Sequence, residues 1–171
     1  MIKITRTNLK GVLQIYPYVF KDHRGEFIET YNVDLYKKKG IKIRFVQDDI
    51  SISKRGVLRG IHSDNKAWKL ISCIYGKMYV VVVNCNEKSR LFGKWQSFNL
   101  SGDSNVQILI PPKYGCSFLV LSKEAIFTYK QSEYYDPKRQ CTYKWNDLRF
   151  KIKWPLKNVV LSKRDKIGHY I

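Results

Sequence analysis

The chain is poor in the residues from which metal centres, disulfide frameworks and membrane spans are built. Its 171 residues include three histidines, four cysteines, two methionines and five prolines. Cys73, Cys85, Cys116 and Cys141 form no Cys-x-x-Cys pair and have no histidine at zinc-ligand spacing. Cys73 and Cys85 lie within apolar runs, where a free thiol behaves as a small buried hydrophobe, so disulfides are not expected. His62 is followed by Ser63 and Asp64, which breaks any His-x-His pair, and His23 and His169 lie near the two ends. Neither a metal nor a cofactor is expected. No apolar stretch approaches the ~20 residues that cross a bilayer. The opening "MIKITRTNLKGVLQI" has no continuous apolar signal-peptide core. The expectation is a cytoplasmic protein that makes no use of a membrane.

Acidic residues are also scarce. Fourteen Asp and Glu stand against 32 Lys and Arg, a formal charge of +18. That surplus favours polyanions or phosphorylated small molecules. The basic residues are spread in short groups ("YKKKG", "KSRLFGK", "DPKRQ", "LSKRDK"), without the tail or basic helix of a nucleic-acid reader. Most are expected to be solvated, with a few left for a specific anion.

What is abundant is aromatic and β-branched. Twelve tyrosines, eight phenylalanines and four tryptophans suit wide pleated faces. "KLISCIY", Gly76-Lys77 and "MYVVVVNC" read as one hairpin, and "CSFLVLS", "KEA" and "IFTYKQSEYY" as a second. "RGEFIETYN", "RFVQDDISIS" and "NVQILIPP" supply further strands. Helix is confined to about two turns in "NVDLYKKKG", capped by Asn32 and ended by Gly40, and a short piece near "DPKRQ". Residues 1–171 therefore read as a single all-β domain, a jelly-roll sandwich or barrel with short peripheral helices.

Within "GVLRGIH", strict alternation sends Arg59 and His62 to opposite faces of a strand. Gly60 between them is placed to supply a bulge that re-aims one of the two. Taken singly, His62, Tyr129 and Asp165 are ordinary strand, core and tail residues. Together they sit inside a longer pattern: "FKDHRGEFIETYN", "FVQDDISISKRGVLRGIH", "FGKWQSFNLS", "ILIPPKYGCSFLVLS", "FTYKQSEYYDP", "KWNDLRFKIKWPL" and "LSKRD". In this order, from about Phe20 to Asp165, the pattern resembles the dTDP-4-dehydrorhamnose 3,5-epimerase family, metal-free cupins acting on nucleotide-linked 4-keto sugars.

The resemblance implies His62 as general base and Asp165 as the carboxylate that orients and charges it. It implies Tyr129 as proton donor on the opposite sugar face and Lys69 as the cation near the developing enolate oxygen. Arg24, Glu29, Gln47 and Arg59 match nucleotide or diphosphate contacts, and Arg164 stands where a lysine is usual. It also implies a homodimer that exchanges amino-terminal strands, so that Arg24 or Glu29 serves a neighbour's site. The chemistry is coherent. A C4 ketone acidifies the C3 and C5 hydrogens, and a histidine with an ordinary pKa of about 6.5 is a suitable base at neutral pH. A lysine stabilises the enolate, and inversion needs a separate acid.

The chain departs from that pattern at three places. Cys116 replaces a histidine, Asp49 replaces the asparagine of "QDN", and Gln140 replaces a common glutamate. Cys116 and Asp49 are accordingly counted with the substrate contacts. These changes raise the expectation of an altered substrate, such as a GDP-linked heptose, feeding surface-polysaccharide synthesis. The alternatives are a C3-only epimerase, a 3,4-ketoisomerase, a catalytically silent sugar-nucleotide binder and a polyanion-binding β-sandwich.

Overall fold

In "QDDISISK" polar and apolar residues alternate, and strand β5 (Gln47–Lys54) forms there in the computed structural model, which describes residues 2–168. His169 lies outside the described residues. Among the described residues, thirteen strands are distributed over two packed antiparallel sheets and one detached hairpin. The first sheet has the order β1 (Lys3–Arg6), β2 (Leu13–Tyr16), β10 (Gln107–Ile110), β7 (Lys69–Tyr75), β12 (Glu124–Gln131), β5. The second has the order β13 (Gln140–Thr142), β6 (Leu58–Asp64), β11 (Tyr114–Val120), β8 (Lys77–Asn84), β9 (Trp95–Ser101). The detached hairpin pairs β3 (Val19–Asp22) with β4 (Gly25–Ile28). This is the expected jelly-roll sandwich, with sheets that do not close into a barrel.

Neither of the two hairpins expected from the sequence is a hairpin. β7 pairs with β10 and β12, whereas β8 pairs with β9 and β11, so the chain changes sheet at Gly76. β11 and β12 likewise lie in different sheets. The reason is local. Gly76 has φ of +76°, and a Cβ there would stand 2.2 Å from the carbonyl oxygen of Glu124. The two corners pack on each other, and this contact admits only glycine. Continuous apolar runs belong to strands covered on both faces, and a two-residue turn signal does not say which sheet the next strand joins.

"MYVVVVN" shows the double covering. Val80 and Val82 enter the inter-sheet core with Ile71, Phe98, Ile108 and Phe127. Val83 points the other way, onto Tyr143 and Phe150 of the C-terminal segment. Full burial stabilises by about 1.5–3 kcal/mol for each large aliphatic side chain. A third cluster (Ile15, Leu70, Leu109) is covered by Tyr36 of helix α1 (Val33–Lys38). Asn32 caps that helix, its side chain accepting from the Leu35 amide at 3.1 Å. The piece near "DPKRQ" is a 3₁₀ turn, Pro137–Arg139, capped by Asp136. A second helix, α2 (Lys163–Ile167), lies in the stretch expected to be a tail.

Candidate active site

The site is built around the bulge in β6. His62 pairs with Cys116 and Arg59 with Phe118, so Gly60 and Ile61 together oppose Ser117. Gly60 has φ of +111°, and a Cβ there would lie 2.6 Å from the Cys116 carbonyl oxygen. The extra residue restores phase. Arg59 and His62 both line one cavity, while Ile61 is fully buried on the opposite side with Val83 and Tyr143.

Behind His62 stands Asp165, 3% exposed, in the first turn of α2. Its Oδ1 lies 2.7 Å from His62 Nε2. Burial pushes the Asp165 carboxyl up, but hydrogen bonds and charge from His62, the Ser162 hydroxyl and the Gly60 amide outweigh it and hold it below the usual range. An ionised carboxylate only accepts, so Nε2 carries the proton and Nδ1 the lone pair. Ser162, which caps α2 by accepting from the Asp165 amide at 3.1 Å, fixes where the carboxylate sits. The sequence signal was present: "SKRD" is a Ser-x-x-Asp capping pattern.

The cavity has a volume of about 260 Å³. Its apolar wall is Ile71, Phe118 and Phe127, the two phenylalanines stacked at 4.5 Å. Tyr129 lies beside Phe127, with ring centroids 5.5 Å apart. Burial, then the neighbouring Asp49 charge, pushes its phenol up to about 12, so it is a protonated donor at neutral pH. Lys69, the first residue of β7, reaches the same cavity. Neither the Tyr129 hydroxyl nor Lys69 Nζ has a hydrogen-bond or ion-pair partner among the described residues. Burial lowers the pKa of Lys69 below the ordinary lysine value. Cys116 faces the cavity too, its thiol raised to about 11 by burial and therefore neutral.

Two arginines complete the lining. Arg59 Nε donates to Ser53 Oγ at 3.1 Å, and Arg164 Nε donates to Thr142 Oγ1 at 2.7 Å. Both stay exposed with their remaining N–H groups available. Gln47 and Asp49 do not line the cavity directly. The Gln47 amide donates to Asp49 Oδ2 at 2.9 Å and the Gln131 amide to the same oxygen at 3.0 Å, and Gln131 reaches the lining. Arg24 and Glu29 lie elsewhere. Arg24 Nη2 pairs with Asp22 Oδ2 at 2.7 Å in the β3–β4 turn, and Glu29 accepts from Asn32 at 3.1 Å.

Gln140, one of the three departures, also lines the cavity, as do Ser51 and Tyr135, which the sequence does not single out. Alternation from Asp49 would have found Ser51. No group of three or more His, Cys, Asp or Glu arranged to hold a metal occurs among the described residues.

A jelly-roll sandwich with a carboxylate-backed histidine, an unpartnered phenol and an unpartnered ammonium around one cavity is equipped as an acid–base enzyme. The sequence model of the dTDP-4-dehydrorhamnose 3,5-epimerase family matches residues 6–171, and the chain belongs to this family of isomerases. The dTDP-4-dehydrorhamnose 3,5-epimerase of Shigella flexneri is 37% identical over 171 residues, covering 98% of this chain and 94% of its own. The crystal structure of the Legionella pneumophila dTDP-6-deoxy-D-glucose-3,5-epimerase in complex with dTDP-4-keto-L-rhamnose superposes with a TM-score of 0.93 at 35% identity. It covers 98% of this chain and 92% of that one. The Bacillus anthracis dTDP-4-dehydrorhamnose 3,5-epimerase, with TDP and pyrophosphate bound, gives 0.94 at 32% identity, each chain covered completely. These relatives lend no support to the GDP-linked heptose raised by Cys116, Asp49 and Gln140, nor to the ketoisomerase and polyanion-binding alternatives.

Proposed function

We propose that this chain inverts C3 and C5 of a dTDP-linked 4-keto-6-deoxyhexose. The observation that carries the reading is the His62–Asp165 pair, gathered with Tyr129 and Lys69 around one cavity. His62 Nδ1 removes the proton alpha to the C4 carbonyl, and the electron pair moves into an enolate. Lys69 faces the enolate oxygen, and removing such a donor in a dry site typically costs about 10²–10³ in rate. Tyr129 returns a proton to carbon from the other face, and solvent resets both groups. Arg59 and Arg164 meet the diphosphate, which suits guanidinium geometry.

A homodimer is part of the proposal. On β5 the polar residues Gln47, Asp49, Ser51 and Ser53 turn inward, whereas Ile50 and Ile52 are 66% and 60% exposed. Phe20 and Phe27 of the detached hairpin are 55% and 69% exposed. A second subunit covering these apolar surfaces explains both, and gives Arg24 and Glu29 a neighbour's site to serve. No helix of the described residues is long and apolar enough to cross a membrane. The reading places the enzyme in the cytoplasm, supplying an activated deoxysugar for surface polysaccharide.

The test is turnover of dTDP-4-keto-6-deoxyglucose in heavy water, counting deuterons by mass spectrometry. Incorporation at two carbons supports the reading. Incorporation at one makes the protein a single-carbon epimerase, and none on this substrate overturns the proposal.

A further inference from the structure

At the far end of β6 from the bulge sits a buried carboxylate that the chemistry above does not use. Asp64 is 3% exposed. Its Oδ1 accepts from the Lys66 and Ala67 amides, each at 2.8 Å, and its Oδ2 from the Gln140 side-chain amide at 2.5 Å. Every one of these donors is neutral, and Asp64 forms no ion pair with the described residues. A buried charge held only by neutral dipoles is costly unless a countercharge lies close by. The cation in question is Lys69, at the other end of the short connection that Asp64 closes, and likewise without an ion-pair partner among the described residues.

We infer that Asp64, held by Gln140, is the positioning residue and countercharge of Lys69, setting where its ammonium enters the cavity and keeping it charged there. The inference rests on the epimerase reading for its purpose. The charged and titratable groups around Lys69 are Arg59, His62 and Asp64 from β6, Cys116 from β11, Tyr129 from β12, Arg164 from α2 and Asp49 from β5. Arg164 and burial work against the charge. Cys116 is a neutral thiol at pH 7 and contributes no negative charge there. Asp49 stands on β5 and is tied to Gln47 and Gln131. Asp64 is the carboxylate on the connection that leads into Lys69, and Gln140, which holds it, lines the same cavity. Its hydrogen bonds to the Lys66 and Ala67 amides also fix the backbone immediately before β7, so one residue sets both the charge and the place of the ammonium.

The substitution Asp64→Asn removes the charge and can keep all three hydrogen bonds, since the Gln140 amide can turn its oxygen towards the new Asn nitrogen. Adding Gln140→Glu returns one negative charge to the same buried pair. Competitive acetylation of the full chain with acetic anhydride across pH, read on the Lys69 peptide against surface lysines, reports the Lys69 ionisation without any substrate. In Asp64→Asn the Lys69 midpoint is expected to fall, and in Asp64→Asn/Gln140→Glu to return towards wild type. With substrate, kcat at pH 8 falls about tenfold for each tenfold loss of ammonium, KM changing little, and the double variant recovers it. An unchanged midpoint in Asp64→Asn overturns the inference. So does a midpoint that falls equally in the double variant. Should Asp64→Asn not fold, the double variant decides alone: a wild-type midpoint supports the inference and a lowered one overturns it. Absence of turnover beside the expected midpoints counts against the epimerase reading only.

Discussion

Asp165 Oδ1 stands 2.7 Å from His62 Nε2, although 103 residues separate the two in sequence. The contact is made by two local devices at once: a bulge at Gly60 that turns His62 into the cavity, and a serine cap that starts α2 one turn before the carboxylate. An amide in place of Asp165 no longer enforces that tautomer, because it can donate as well as accept, and it carries no charge to stabilise an imidazolium. Asp165→Asn is expected to lower kcat by about 10²–10⁴ with KM little changed, as measured by steady-state kinetics. The pair has a stability consequence too. The folded pKa of Asp165 lies below its unfolded value, so its contribution is complete above the unfolded pKa and is lost as pH falls through the folded one. Urea midpoints followed below about pH 4 should decline less steeply in Asp165→Asn than in wild type.

Tyr129 carries its proton to about pH 12, which fits the proposed role of donor. In Tyr129→Phe the base side remains, and the abstracted hydrogen still exchanges with solvent. Deuterium should enter with retained configuration while inversion falls about 10²–10⁴-fold. The two are separated by comparing isotope content with product stereochemistry.

Lys69 titrates below ordinary lysines because it is buried. Its ammonium is present below that pKa and lost as pH rises through it. The rate should therefore fall on the alkaline side before surface lysines deprotonate. In Lys69→Met that limb should vanish, with kcat lower by about 10²–10³ across the whole range.

Gly60→Ala places a methyl against the Cys116 carbonyl at a φ that side chains resist. Relief requires β6 to lose its bulge, which turns Arg59 and His62 to opposite faces. The variant should lose about 2 kcal/mol or more in urea unfolding, and activity with it. Gly40→Ala, where φ is also positive but no atom lies within 4 Å, is the comparison and should cost less.

Residue patterns predict the strands well where side chains alternate or end at prolines, as in β5 and β10, and the Asn32 cap announces α1. They fail at the sheet crossings, because Gly76 serves a hairpin and a corner equally well and only the packing of Ser122 and Glu124 decides. Arg59, His62, Lys69, Cys116, Tyr129 and Arg164, all singled out from the sequence, line one cavity. The β6 bulge is also readable in advance, since Gly60 separates two residues that alternation would part. The role of Asp64 is not legible in the sequence, because an aspartate after a strand looks solvated. Its burial depends on Gln140, 76 residues away.

The central claim is that His62 abstracts the substrate proton. The most direct measurement is deuterium incorporation from heavy water into dTDP-4-keto-6-deoxyglucose by wild type and His62→Asn at equal enzyme concentration. The account predicts deuterium at C3 and C5 with wild type and at least about 10³-fold slower incorporation with the variant. Incorporation at wild-type rate in folded His62→Asn would contradict it.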